Sequence, residues 1–210
     1  NTKKLILTIS LILSPLLYFK YSFFVFDTLN LNSNYYSSLI YNGTLPLGIS
    51  FVTFSLISYI VDVHKGVYKV EKKFSYLLGY ILFFPQLIAG PILRPSELIP
   101  QLKKPIIFQW NRVKVGTIIF TFGLLKKLFF ADQLSPYVDK FYSNVYSSSF
   151  EDFIIAFYGF SVQIYCDFSG YTDMAIGLAL ILGIKIPINF NRPYLSTNII
   201  DFWRSWHMTL

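Results

Sequence analysis

The chain has 210 residues, of which 54% are hydrophobic and 20% aromatic, with only 14% charged where soluble domains carry about 25%. That composition argues against a water-soluble globule, and so many aromatic rings with so little charge rule out a disordered polypeptide. The balance of 18 basic against 11 acidic side chains, +7 at neutral pH, is the excess that cytoplasmic loops of a membrane protein carry.

No segment interleaves basic residues with aromatics as a nucleic-acid groove does, so no nucleic-acid partner is expected. Membrane lipids are the expected surroundings. The single cysteine, Cys166, excludes an intramolecular disulfide and a multi-cysteine zinc site, and no metal centre is expected.

In chain order, Lys3 and Lys4 precede an apolar run that superficially resembles a signal peptide. No small-residue cleavage site follows it, so a membrane span over residues 5–26 is the better reading, with Lys20 snorkelling to the headgroups. Residues 30–44 are rich in Asn, Ser and Tyr and read as a loop; Asn42-Gly43-Thr44 within it fits a glycosylation sequon. A second span is expected over 45–61. The block 74–93 is free of charge but contains Pro85 and Gly90-Pro91, which break helical hydrogen bonding.

The loops on either side of that block, 62–73 and 94–114, are both basic and both expected to be cytoplasmic. One crossing would put them on opposite faces, so the block is expected to re-enter. A further span is expected over 115–131, with Lys126 and Lys127 near its end. Residues 132–152, carrying Asp132, Asp139, Glu151 and Asp152 against Lys140, read as an outer loop. Residues 153–184 would make about 48 Å of helix against roughly 30 Å of hydrocarbon; this segment must tilt, break, or run through protein. A loop then carries Asn189, Asn191, Arg192 and Pro193. Asn198 reads as an N-cap with Asp201 three residues on, and the new helix is expected to carry Trp203, Arg204, Trp206 and His207. No internal repeat is found. The start without methionine and the stop inside an expected helix point to a fragment.

Within the long apolar block, Gln163, Asp167, Gly170, Met174 and Gly177 recur at spacings of three and four, on one helical face. Polar and small residues on one stripe suit close helix packing or the wall of a hydrated cavity. Asp173 lies off that face from Asp167, so the two acids read as helix caps or bridges rather than as a catalytic dyad. His64 reads as a solvent-exposed loop residue and Cys166 as a small buried hydrophobe. His207 is the candidate for proton transfer, since an imidazole titrates near neutrality.

Six runs then stand in order: Leu45-Pro46-Leu47-Gly48-Ile49-Ser50-Phe51, Phe84-Pro85-Gln86-Leu87-Ile88-Ala89-Gly90-Pro91-Ile92, Gly123-Leu124-Leu125-Lys126-Lys127, Asp167-Phe168-Ser169-Gly170-Tyr171-Thr172-Asp173-Met174-Ala175-Ile176-Gly177, Asn189-Phe190-Asn191-Arg192-Pro193-Tyr194, and Phe202-Trp203-Arg204-Ser205-Trp206-His207. Together they closely resemble the membrane-bound O-acyltransferase family, in its bacterial branch that acetylates alginate and peptidoglycan.

The resemblance covers nearly the whole chain. It implies an all-α polytopic transmembrane bundle with re-entrant or broken helices, of which residues 1–210 form one partial domain lacking the C-terminal part. It also implies transfer of an acetyl group from acetyl-CoA to an exported polysaccharide, with a periplasmic or extracellular esterase-like acetyltransferase as partner and no bound cofactor. His207 matches the first of two characteristic family histidines; the second is expected beyond this chain, so the piece alone is expected to be inactive.

A tunnel formed by helices broken at Pro85, Gly90-Pro91 and Ser169-Gly170 is expected to carry the acyl group, with Gln86, Gln163, Asp167, Asp173, Asn191, Arg192 and Arg204 as candidate lining or substrate residues. D-alanyl transfer to teichoic acid is the alternative within the same fold. A transporter or channel is the alternative outside it.

Overall fold

The computed structural model describes residues 2–29, 45–87 and 90–210. The expected loop over 30–44, its sequon, and residues 88 and 89 of the Pro85 motif lie outside the described residues. Every regular element among the described residues is helical, so the all-α expectation holds at that level. The chain divides into two compact units: Asn1–Ile88 with Arg94–Lys103, and Ala89–Leu93 with Lys104–Leu210.

In the first unit, α1 (Thr2–Thr28) packs against α2 (Ile49–His64). The stretch Thr2–Ser22 is, among the described residues, the one helix long and apolar enough to cross a membrane by length and composition. The second expected span begins later than the run of apolar residues predicts. Gly48 caps it with φ +70, and a Cβ there would lie 2.8 Å from the Leu87 carbonyl oxygen, so this turn needs glycine. At 16 residues, α2 is about 24 Å long.

The block 74–93 is broken, as Pro85 predicts. Its helix α3 (Phe74–Ile81) has eight residues and gives way to a 3₁₀ turn at Phe84–Gln86. Residues 90–94 are irregular before α4 (Pro95–Leu102). Glu97 starts α4 by accepting the Arg94 N–H at 2.8 Å. Tyr80, fully buried, ties the unit together: its hydroxyl donates to the Ser55 carbonyl at 3.3 Å, and its own carbonyl accepts from Gln86 Nε2 at 3.0 Å.

In the second unit, α5 (Trp110–Leu125) runs without a break through a π-helical segment, Lys126–Ala131, into α6 (Asp132–Ser143). This corrects the expected outer loop over 132–152, whose first half is helix. Val138 of α6 is buried and meets Gly159 of α7 (Phe150–Ile181), so the acids of this segment decorate the open side of a packed helix. Ser149 and Asp152 cap α7 reciprocally, the Ser149 N–H reaching Asp152 at 2.9 Å and the Asp152 N–H reaching the Ser149 hydroxyl at 3.2 Å.

α7 has 32 residues and is continuous through Ser169-Gly170, which corrects the expected break there. The glycine serves packing instead. A Cβ on Gly170 would sit 2.8 Å from the Gly123 carbonyl oxygen, and one on Gly177 would sit 2.5 Å from that of Gly116. Rising numbers on α5 meet falling numbers on α7, so the helices are antiparallel. The pairs recur every seven residues on both helices, which keeps one seam in register.

Candidate functional site

Two groups of residues build the candidate site, and the first follows from that seam. Lys126 and Lys127 stand three and four residues beyond Gly123, on the face turned to α7. Lys126 forms an ion pair with Asp173 and approaches the Ser169 hydroxyl at 3.5 Å. Lys127 Nζ lies 2.6 Å from both Asp132 and Asp167, off the hydrogen-bond direction at Asp167 Oδ1, and 5.4 Å over the Tyr171 ring. Asp167 and Asp173 thus flank the Gly123–Gly170 contact, each engaged by a different lysine. If these pairs lock the seam, Lys127→Met and Asp167→Asn in the full-length protein are expected to couple by about 1 kcal/mol in a double-mutant cycle. Additive losses in thermal unfolding would show that the pair contributes nothing.

The segment that follows α7 builds the second group. Gly183 turns the chain with φ +79, and the loop brings Asn189 into full burial. The Asn189 main-chain oxygen accepts the Met208 N–H at 2.9 Å. Its side-chain oxygen accepts from both the N–H and the hydroxyl of Thr209, at 3.2 and 2.8 Å. The Asn191 N–H donates to the Ser205 carbonyl at 2.9 Å. The Thr209 hydroxyl also accepts the Ile92 N–H at 2.9 Å.

These bonds pull the chain out of α8 (Ile199–Ser205) before His207. That corrects the expectation that His207 lies on the helix: it follows the helix, with φ +47. A non-glycine residue holds such a conformation only where its surroundings impose it. Asn198 caps α8 as expected, its Oδ1 accepting the Asp201 N–H at 2.8 Å.

Around His207 the aromatic residues of the last three motifs converge on α7. The Phe168 ring stands edge-on to the imidazole at 4.8 Å and to Phe190 at 5.0 Å, and Phe190 meets Trp206 at 5.0 Å. Tyr165, Tyr194 and Phe202 complete the cluster. Such ring pairs contribute roughly 0.5 to 1.5 kcal/mol each beyond burial. His207 Nε2 is buried and makes no hydrogen bond among the described residues. Its turn lies outside the long helices, and burial lowers its pKa, so the imidazole is held neutral. A neutral, desolvated nitrogen of this kind can accept a proton from a hydroxyl and return it.

The remaining candidates are dispersed. Gln163 Oε1 on α7 is buried and has no hydrogen bond among the described residues, and Gln86 Oε1 is in the same condition within the first unit. Asn191, Arg192 and Arg204 are exposed; Arg192 has φ +50, and Arg204 faces Asp201 at 4.0 Å. Sequence reasoning quoted Asn189 without giving it a role. The signal was its place two residues before Asn191, but its partners are about twenty residues away. No group of three metal-ligating side chains occurs among the described residues.

Several known proteins are similar to this chain in sequence. The chain is 38% identical to the "Peptidoglycan O-acetyltransferase" of Helicobacter pylori, over 99% of the chain and 45% of the relative. It is 37% identical to the "Probable alginate O-acetylase AlgI" of Pseudomonas aeruginosa, over 98% of the chain and 40% of the relative. It is 33% identical to the "Teichoic acid D-alanyltransferase" of Bacillus subtilis, over 78% of the chain and 42% of the relative. The chain therefore spans less than half the length of the curated relatives it matches. The profile of the membrane-bound O-acyltransferase family matches residues 72–210, from the basic loop through both lysines of the seam to the His207 turn, and the chain belongs to that family.

Proposed function

We propose that the chain is part of a multi-pass enzyme of the cell's cytoplasmic (inner) membrane that moves an acetyl group onto an exported polysaccharide such as alginate or peptidoglycan. Acetyl-CoA on the cytoplasmic side is the proposed donor, and an esterase-like acetyltransferase in the periplasm or outside is the proposed partner. The observation that carries this reading is His207: a neutral imidazole whose Nε2 has no hydrogen bond among the described residues, fixed in a left-handed turn by Asn189 and faced edge-on by the Phe168 ring. In the proposed role, His207 takes a proton from the hydroxyl that attacks the acyl carbonyl and returns it to the leaving group. Gln163, with a buried unbonded oxygen on the neighbouring helix, is a candidate lining residue; Asp167 and Asp173 act by positioning α7. The names of the two acetylating relatives support the acetyl group as cargo.

D-alanyl transfer is the competing reading, favoured by the similarity to the teichoic acid enzymes. Expression of the full-length protein in a strain lacking its own polymer acetylation separates the two. Mild alkali is expected to release acetate from the purified polymer. Release of D-alanine instead would establish the alternative, and release of neither would overturn both. In the same cells, a cysteine at Val70 is expected to react with an impermeant thiol reagent only after the membrane is opened; reaction from outside would overturn the cytoplasmic placement of this basic loop.

A further inference from the structure

In the first unit, the loop after α2 and the end of α4 line an open basin of about 800 Å³, within the size range of small-ligand sites. Its wall holds the side chains of Lys69, Lys72, Lys73 and Lys103 with the rings of Tyr68 and Tyr76. The single acid of the lining, Glu71, is already engaged: it forms an ion pair with Lys103 and accepts the Lys73 N–H at 3.1 Å. The hydrogen bond from Lys103 holds the Glu71 carboxyl below its ordinary value, and the same bond raises Lys103, so both are charged at neutral pH.

Lys73 and Lys103 each stand 5.6 Å over the Tyr76 ring. Lys69 and Lys72 are exposed and form no ion pair with a described residue. Four ammonium groups against one neutralised carboxylate leave an excess of about three positive charges around one basin, more than a single carboxylate ligand would balance.

This loop is not a free solvated tail. The Val67 and Tyr68 N–H groups both donate to the Asp62 carbonyl, at 2.9 and 3.2 Å, and the Glu71 N–H donates to the Tyr59 hydroxyl at 2.9 Å. The backbone that carries the lysines of this loop is therefore fixed before anything enters, which lowers part of the ordering cost of binding. A phosphate monoester carries about −1.5 to −2 at neutral pH and offers three strong acceptor oxygens, so one or two phosphate groups match the excess.

We propose that this basin binds a phosphate-bearing anion, gripped by Lys69, Lys72, Lys73 and Lys103 and seated against the Tyr68 and Tyr76 rings. The exposed Val67 and Val70 on the rim suit either an apolar-tailed lipid headgroup or a soluble phosphate compound. The site stands or falls independently of acetyl transfer, because the test reads binding alone.

Calorimetry on the full-length protein in neutral detergent uses two kinds of probe. Inorganic pyrophosphate and adenosine 3′,5′-bisphosphate represent soluble phosphates, and water-soluble dihexanoyl phosphatidic acid represents a headgroup. Saturable, salt-sensitive binding of at least one is expected, and the probe that binds assigns the source. The exposed double variant Lys69→Ser with Lys72→Ser is expected to bind about tenfold more weakly or worse, through loss of two charge-assisted contacts. Lys69→Arg with Lys72→Arg is expected to keep binding. No saturable binding of any probe, or binding that the serine variant leaves unchanged, overturns the proposal.

Discussion

Full-length protein carrying His207→Ala is expected to insert normally and to lose polymer acetylation by about a hundredfold or more, the scale on which a positioned proton-transfer group contributes. The imidazole meets Phe168 edge-on and has a buried, unbonded Nε2, so its removal takes away a chemical group more than a structural tie. The tie is Asn189, which holds the chain at Met208 and Thr209. Asn189→Ala is therefore expected to lower the rate while leaving an imidazole that still titrates, in contrast to His207→Ala. Acetate released from purified polymer at normal level by His207→Ala protein would refute the catalytic role.

The acid limb of the rate profile gives a second check. Burial lowers the His207 pKa from its ordinary 6.5, so the proton-accepting form should persist below that pH and the rate should fall only at lower values. Between the lowered value and 6.5 the unfolded chain binds more protons than the folded one. Stability from this group is therefore complete above 6.5 and declines as pH drops through that window. A rate that falls with a midpoint at or above 6.5 would exclude the buried imidazole as the titrating base.

Gly170→Val is expected to prevent stable assembly of α5 against α7. Even the first carbon of a side chain at this position would stand 2.8 Å from the Gly123 carbonyl oxygen, and the atom it strikes is backbone that cannot rotate away. Overpacking costs of about 1 to 3 kcal/mol assume that neighbours can shift; here relief requires the helices to separate, which also draws Lys126 from Asp173 and Lys127 from Asp167. Gly159→Ala is the matched control, because its new carbon would meet only the Val138 side chain at 3.4 Å. The yield of monodisperse protein in detergent and its melting temperature are expected to collapse for the first variant and change little for the second. Equal melting temperatures would show that the glycine seam does not hold the helices.

Helices were legible wherever a pattern is local. The apolar run of α1, the break at Pro85 and the Asn198 cap each depend on residues within a turn or two, and each stands in the structure. The polar and small stripe on α7 was likewise readable as a packing face. Misreadings came where the deciding partner is distant. Acidic residues from Asp132 onward resemble a loop until Val138 is seen buried against α7. Ser169-Gly170 resembles a break until Gly123 is found opposite.

His207 shows the division most sharply. Its residue type, and then its place in the last of the six motifs, marked it as the candidate for proton transfer, because chemistry follows from side-chain type. Composition likewise set the chain apart from soluble globules, since too few charges remain to cover a solvated surface. Tertiary structure alone decided that His207 leaves the helix, which atoms of Asn189 hold it, and which lysine meets which aspartate. Those outcomes depend on hydrogen bonds and close approaches between segments roughly twenty to fifty residues apart, and no local periodicity encodes the register in which two such segments meet.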